Sequence, residues 1–206
     1  MVNPPIFFGH HIMTSQGQLD AACKRLLADH HSDSVFFGNA LAADRLPEPE
    51  AFRAATVAAG KQYGRLVVNY SDHDEPPGTH WVMLGLDARK MSATIIPRSQ
   101  FVDSFGVAPD AEDSVFSVQE GHPVRTHFHE WLLSCAELAG LPRTKSSVVY
   151  SDLRMQSAGA DVCGEYSCFA VAHGMPGPAN KAWNKILRFT EAKARDRTVK
   201  ELVGIR

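Results

Sequence analysis

The predicted helices of this chain lie on both sides of a mid-chain group of short strands, and this order limits the possible folds more than any other feature. Strand patterns rich in apolar and β-branched residues cover residues 66–70, 81–86, 93–96 and 101–105. Helix patterns, with apolar residues three or four positions apart, come before and after them. Helices segregated around central strands predict an α+β fold with one central, mostly antiparallel sheet flanked by helices.

Five segments carry the helix patterns, and turn-forming residues mark several of their ends. They span residues 18–28, 50–59, 128–138, 163–173 and 180–193. Pro49 stands at the start of the second segment, where proline is tolerated. Gly140 ends the third segment and Gly174 ends the fourth. A short apolar piece at 34–37 and a further strand at 148–150 complete the predicted elements.

The length, the net charge and the apolar runs of the chain limit the class of protein that it can be. The chain has 206 residues, without repeats or a convincing linker, so we predict a single domain over residues 1–206. A formal charge of −2 does not draw it to nucleic acid or to anionic membranes. No apolar run approaches the roughly 20 residues that span a bilayer. The first residues lack the pattern of a signal peptide, so we expect a protein that is not secreted.

Cys163 has the strongest reason to carry chemistry. It follows a polar, glycine-containing loop at 151–161 and begins the predicted helix 163–173. Helix-end amides and the helix dipole favour the thiolate of a cysteine in this place. Gly164 then removes side-chain bulk where a substrate would approach, which makes it a candidate wall of a cleft. The alternative is a cysteine that only packs in the core, as most free cysteines do.

A thiolate nucleophile needs a base, and His80 is the candidate among ten histidines. It begins the predicted strand 81–86 directly after a loop, with Trp81 as a second candidate for the cleft wall. Asp103 lies among apolar neighbours, where an imidazole N–H would compensate its buried charge. The alternatives are an ordinary histidine at a strand end and an aspartate that caps a turn.

Gln156 lies in the loop before Cys163, with six residues between them. Its amide and the backbone N–H of Cys163 could converge on the oxyanion of an acyl-transfer intermediate. The alternative is a solvated loop residue. No metal site is predicted, because His127 and His129 would point away from each other on a helix. The four cysteines fit neither a disulfide framework nor a zinc site.

These segments together resemble the adenovirus-protease (adenain-like) type of cysteine peptidase, in the clan that also contains the SUMO- and NEDD8-removing proteases. The resemblance lies in Gly78-Thr-His-Trp81, Val102-Asp-Ser-Phe-Gly106, and Gln156 followed by Cys163-Gly164. The order His, Asp, Gln, Cys is specific to this type. The match covers about residues 35–173, which implies a catalytic core of about 35–175 with helical extensions at both ends. Asp103 stands where many adenovirus enzymes have Glu and where the deconjugating enzymes have Asp.

The resemblance implies a viral cysteine endopeptidase that cleaves capsid or core precursor proteins during virion maturation. Cys163 would be the nucleophile, His80 the base, Asp103 its orienting partner and Gln156 an oxyanion donor. The substrate would be a polypeptide, and the sequence requires no cofactor. An activating peptide or DNA, as in related viral proteases, is a further expectation. We expect a monomer that acts in the virion or in the nucleus or cytoplasm of the host cell.

Three alternatives remain at this point. One is a ubiquitin-like-protein isopeptidase of the same clan, and a more remote one is an acetyltransferase with the same triad. The third is a catalytically silent binding or scaffold protein that keeps the fold, although each matched position holds a chemically competent residue. A DNA-binding structural protein is disfavoured because no basic stripe is present.

Overall fold

A computed structural model describes residues 14–30, 33–70, 80–109 and 127–205, and it contains one five-stranded sheet within these ranges. The strands, in their order across the sheet, are β1 (Val35–Ala42), β2 (Tyr63–Asn69), β3 (Trp81–Asp87), β4 (Ser99–Val102) and β5 (Val148–Tyr150). The two central pairings are antiparallel, and both edge pairings are parallel. The sheet is therefore mixed, because helical crossovers carry the chain between the strands of each edge pair.

Six helices flank this sheet within the described ranges. They are α1 (Gln16–Asp29), α2 (Pro49–Ala58), α3 (Phe128–Leu138), α4 (Cys163–His173), α5 (Lys181–Leu187) and α6 (Ala192–Val203). Ser15 and Gln18 form a reciprocal capping box at the start of α1, which satisfies backbone donors there. Gly140 follows α3 with a φ of 93°, a conformation that favours glycine. The α+β class expected from the sequence is confirmed.

Two of the predicted elements are wrong. Residues 93–96 do not form a strand but belong to a turn closed by an isolated bridge between Ser92 and Ile95. The single helix expected at 180–193 is two helices, α5 and α6. Trp183 and Ile186 bury one face of α5, whereas Val199 and Val203 bury a separate face of α6. The chain bends between them so that both faces reach the core.

The sheet separates two apolar clusters, and the alternation of side chains along the strands explains this. Leu66 and Val82 point toward α2 and α3, where they pack with Phe52 and Trp131. Val67, Trp81 and Met83 belong to the opposite cluster, which also holds residues of α1, α4, α5 and α6. Successive residues of a strand face opposite sides, so both faces of β2 and β3 are covered by helices.

Helix α4 lies at the centre of the second cluster, and every residue from 163 to 172 is buried. In the middle of the helix, Ser167 Oγ donates to Trp81 O at 3.1 Å, which fixes α4 to the first residue of β3. Near its end, Arg65 Nη1 donates to Val171 O at 2.6 Å. The helix that begins at Cys163 is thus attached to the sheet at two positions along its length. No helix of the described ranges combines the length and apolar character needed to cross a bilayer.

Candidate active site

His80 lies immediately before β3, and its imidazole is 1% exposed. The ring of Tyr70 stacks on it with centroids 5.7 Å apart, and the ring of Phe105 lies 5.2 Å away. The backbone is also paired, since Tyr70 N donates to His80 O at 3.2 Å. These contacts hold the imidazole in one orientation at the end of the sheet.

Asp103 directly follows β4 and is completely buried. Because β3 and β4 are antiparallel, the start of one strand lies beside the end of the other, which brings His80 and Asp103 together. The Oδ2 atom of Asp103 lies 2.8 Å from His80 Nε2. The Oδ1 atom accepts a hydrogen bond from Phe105 N. The carboxylate therefore orients the imidazole and closes the turn after β4 at the same time.

Cys163 is the first residue of α4 and is 4% exposed. Its side chain interacts with His80 and contributes to the raised pKa of that imidazole. Since Nε2 of the ring faces Asp103, Nδ1 is the nitrogen left for the sulfur. Val162, at the N-cap position, provides no side-chain cap, so the described side chains leave the first amides of this helix uncapped. A thiol, an imidazole and a carboxylate thus form a continuous series across α4, β3 and β4.

The ionisation of His80 follows from its two partners. Burial alone lowers the pKa of an imidazole, because the charged form loses its water. The charge and hydrogen bond of Asp103, followed by the contact with Cys163, more than compensate and raise the pKa of His80 to about 10. The site accordingly favours an imidazolium flanked by two acidic groups. A cysteine beside such an imidazole has the arrangement that activates a thiol as a nucleophile.

Gln156 is buried at 1% exposure and is bound to the segment after β4 rather than to the sulfur. Ser104 Oγ donates to its Oε1 at 2.6 Å, and its Nε2 donates to Ala160 O. Its backbone N–H and that of Met155 both donate to Ser104 O, at 3.0 and 2.8 Å. Among the described contacts none joins Gln156 directly to Cys163. Gln156 reaches the site through Ser104, the neighbour of Asp103.

The two candidate wall residues occupy different surroundings. Trp81 is buried in the apolar cluster that includes Cys163, with 5% of its surface exposed. Gly164 does not border an open cleft. A Cβ atom there would lie 2.8 Å from Leu19 Cδ2, so α1 covers this position. The absence of a side chain at Gly164 allows two helices to approach each other, and its expected role as a cleft wall is corrected accordingly.

Sequence reasoning missed several residues that support the site. One is Ser104, which hydrogen-bonds to Gln156. Its place beside Asp103 in the same motif is the signal that could have identified it. Arg195 and Asp196 contact the loop of Gln156 but lie in α6, beyond the end of the predicted helix 180–193. Within the described residues, no group of three or more His, Cys, Asp or Glu side chains is placed to hold a metal ion.

Comparison with solved structures finds this fold in a protease of African swine fever virus (ASFV). The match to its crystal structure has a TM-score of 0.53 at 13% identity, over 94% of this chain and 67% of the viral chain. The central domain of an uncharacterized protein from Legionella pneumophila matches with a TM-score of 0.41 at 14% identity, over 93% of this chain and 99% of that domain. No protein-family model and no curated protein matches the sequence.

The likeness to the ASFV enzyme establishes a protease-like fold, shared at a distance that leaves little sequence in common. Fold alone does not define a reaction, because one scaffold can carry unrelated chemistry. The chemistry open to this chain depends on the side chains around Cys163.

Proposed function

We propose that this protein is a cysteine endopeptidase with Cys163 as nucleophile, His80 as base and Asp103 as the partner that orients the base. The observation that carries the proposal is the hydrogen bond between Asp103 and His80, together with the interaction of His80 with Cys163 at the start of a helix. A nucleophile beside a base that a third group orients is the recurring arrangement of covalent hydrolases. Within the protease-like fold, this arrangement favours hydrolysis over a binding role.

In the proposed reaction, His80 is an imidazolium that already holds the Cys163 proton at Nδ1, while Nε2 stays bonded to Asp103, and Cys163 is the thiolate of this ion pair. The thiolate then attacks the carbonyl carbon of the scissile peptide bond, and the electron pair of the C=O bond moves to oxygen. Collapse of this oxyanion breaks the C–N bond, and His80 gives its proton to the departing amine. Water, deprotonated by His80, attacks the thioester and releases the acid with the free thiol.

Two donors are proposed for the oxyanion. The first is the backbone N–H of Cys163, at a helix start without a side-chain cap. The second is the amide of Gln156, whose Nε2 carries another hydrogen besides the one donated to Ala160 O. A carbonyl oxygen can only accept, so the atom facing Ala160 O is the amide nitrogen. Fixed donors of this kind stabilise the charge that develops in the transition state.

The natural substrates we propose are polypeptide precursors of a virus particle. The order of the four site residues resembles that of the adenovirus-type enzymes, and the fold is shared with a protease of ASFV.

The test is cleavage of a peptide library by the purified protein, with new N-termini identified by mass spectrometry. We expect the wild type to cleave peptides of the library, and Cys163→Ala to lose cleavage completely. Cys135→Ala is the matched control, because Cys135 lies in the other apolar cluster. Arms with added DNA or added viral peptide measure any activation.

Full activity of Cys163→Ala would refute the proposal. Cleavage restricted to ubiquitin-like conjugates and Gly-Gly peptides would instead assign the same site to an isopeptidase. Covalent labelling of Cys163 without cleavage of any peptide would refute the peptidase and favour a catalytically silent binding or scaffold protein.

A further inference from the structure

Helix α6 binds the loop that carries Gln156 on both sides of that residue. Arg195 Nε donates to Met155 O at 3.0 Å, and its Nη2 donates to Arg154 O at 3.2 Å. On the other side, Ser157 N donates to Asp196 Oδ2 at 3.2 Å, and Ser157 Oγ donates to the same oxygen. The backbone before and after Gln156 is therefore fixed by two consecutive residues of one helix.

Asp196 also binds the helix of the proposed nucleophile. Its Oδ1 accepts a hydrogen bond from Tyr166 OH at 3.1 Å, and Tyr166 lies one turn after Cys163 in α4. The same two elements carry the two proposed oxyanion donors, because the Cys163 N–H belongs to α4 and Gln156 belongs to the loop. One carboxylate thus connects the two elements whose separation sets the geometry of the oxyanion site.

The burial of Asp196 argues that this connection is specific. The residue is only 7% exposed, and a buried carboxylate is unfavourable unless donors compensate it. Three donors do so here: Ser157 N, Ser157 Oγ and Tyr166 OH. Apolar packing alone could be supplied by an apolar side chain, whereas joining a backbone amide, a serine and a tyrosine requires an acceptor with two oxygens.

We propose that Asp196 is a positioning residue that acts through Ser157 on Gln156 and through Tyr166 on α4, and so sets the distance between the two oxyanion donors. This inference rests on the proposed function. Arg195 supports the same loop from its other side. The C-terminal helix α6 is then part of the catalytic apparatus, although none of its side chains touches the substrate.

The test compares Asp196→Asn and Ser157→Ala, each alone and together with Gln156→Ala. Asn keeps the shape of Asp196 with one acceptor fewer, and Ala removes only the serine hydroxyl. We expect Asp196→Asn to lower kcat by about tenfold, because small displacements of catalytic donors cost this much or more. Ser157→Ala should lower kcat less, and KM should stay unchanged in both.

The decisive measurement is the Gln156→Ala background. If Asp196 acts through Gln156, neither substitution lowers kcat further once the glutamine side chain is gone. The inference would be overturned if kcat fell by the same factor with and without the Gln156 side chain. It would also be overturned if kcat were unchanged in folded Asp196→Asn. Glu201→Gln, an exposed acid of the same helix, is the control for charge removal. Should Asp196→Asn not fold, Ser157→Ala alone decides in the same two backgrounds.

Hydrogen exchange separates this inference from the proposed function. In Asp196→Asn, the amides of residues 154–157 should exchange faster than in the wild type, whereas those of Glu201→Gln should not change. A wild type without peptidase activity would refute the proposed function, and the exchange data would then decide whether Asp196 holds the loop. If the amides of residues 154–157 exchanged at the wild-type rate in Asp196→Asn, the role of Asp196 in holding this loop would also be overturned.

Discussion

At the residue scale, Asp103 combines two roles that appear as alternatives in the sequence. Its Oδ2 faces His80 Nε2 at 2.8 Å, and its Oδ1 accepts from Phe105 N. A turn aspartate and an aspartate that orients a histidine are therefore one and the same residue. Because both oxygens are bound, the side chain cannot rotate away from the imidazole.

Replacing Asp103 by Asn should change the titration of His80. The amide carries no charge, so burial, which lowers the pKa of His80, is no longer compensated. We expect the pKa of His80 to fall from about 10 to near or below its ordinary value of 6.5. Cleavage at neutral pH should fall on the order of 10²-fold or more. NMR titration of the His80 ring and the pH profile of kcat/KM measure both effects.

The same change should alter the pH dependence of stability. The folded-state pKa of His80 lies above its unfolded value of 6.5, so its contribution is fully present below that pH and is lost as the pH rises through about 10. Asp103→Asn should remove this dependence. Asp152→Asn, at an exposed position, is the control. An unchanged His80 titration in Asp103→Asn would contradict the assignment.

Glu165 provides a second prediction at this scale, on stability rather than activity. The residue is 6% exposed, and its Oε2 has no hydrogen-bond partner among the described residues. Burial, with smaller contributions from the charges of Asp161 and Asp196, raises the pKa of Glu165, while Lys200 opposes the shift. The folded protein thus binds this proton more tightly than the unfolded chain does.

We expect Glu165→Gln to become increasingly more stable than the wild type as the pH rises. Below about pH 4.5, the ordinary value for this side chain, both states of the wild type are protonated and ionisation costs nothing. Above it, the wild type loses stability through the folded-state pKa, and the glutamine variant does not. Urea unfolding from pH 4 to pH 8 measures the difference. A difference that is constant with pH would contradict this explanation.

At the scale of elements, α1 approaches α4 closely at Gly164. Leu19 lies against this glycine, and Cys168 Sγ donates to Leu19 O at 3.7 Å. Both helices are buried along this contact. The start of the nucleophile helix is therefore held by the sheet on one side and by α1 on the other.

Gly164→Ala should destabilise the protein, because its methyl group would lie 2.8 Å from the buried Leu19 side chain. We expect a loss of about 1–3 kcal/mol, the usual cost of overpacking. Denaturant unfolding monitored by circular dichroism measures it. The control is Gly17→Ala in α1, where a Cβ meets nothing within 4 Å and alanine favours the helix. Equal stability of Gly164→Ala and the wild type would show that α1 shifts to accommodate the added methyl group, and would contradict the prediction.

At the scale of the whole molecule, one of the four cysteines differs from the other three in having an imidazole as its neighbour. Cys23 and Cys168 pack between α1 and α4, and Cys135 packs in the cluster on the other face of the sheet. Burial raises the pKa of the Cys135 and Cys168 thiols, which keeps them protonated and unreactive. Cys163, by contrast, has an imidazole as its partner.

Iodoacetamide should therefore label Cys163 alone in the native protein and all four cysteines after denaturation. His80→Ala should slow the native labelling by about tenfold or more, because the thiolate loses its partner. Mass spectrometry of the digested protein gives the sites and rates. Native labelling of Cys135 or Cys168 at the rate of Cys163 would contradict the environment described for them.

Much of the local structure follows from sequence patterns. The helices at 128–138 and 163–173 and the strand at 148–150 have the predicted bounds, because apolar periodicity and glycine or proline stops act within a few residues. Residues 93–96 form a turn and not the predicted strand, because a short apolar run does not by itself show whether its backbone pairs with another strand. The bend between α5 and α6 also escaped prediction, because it depends on which faces reach the core.

By itself, the sequence determined the α+β class, the element types and the placing of a thiol at a helix start. These depend on interactions between residues close in the chain. Only the tertiary structure decided that β1 pairs in parallel with β2 and β5 with β4, and that α1 packs against Gly164. It also decided that Asp196 joins the loop of Gln156 to α4. Contacts between residues far apart in the chain depend on which surfaces become buried against each other. The free energy of that burial cannot be read from the local sequence.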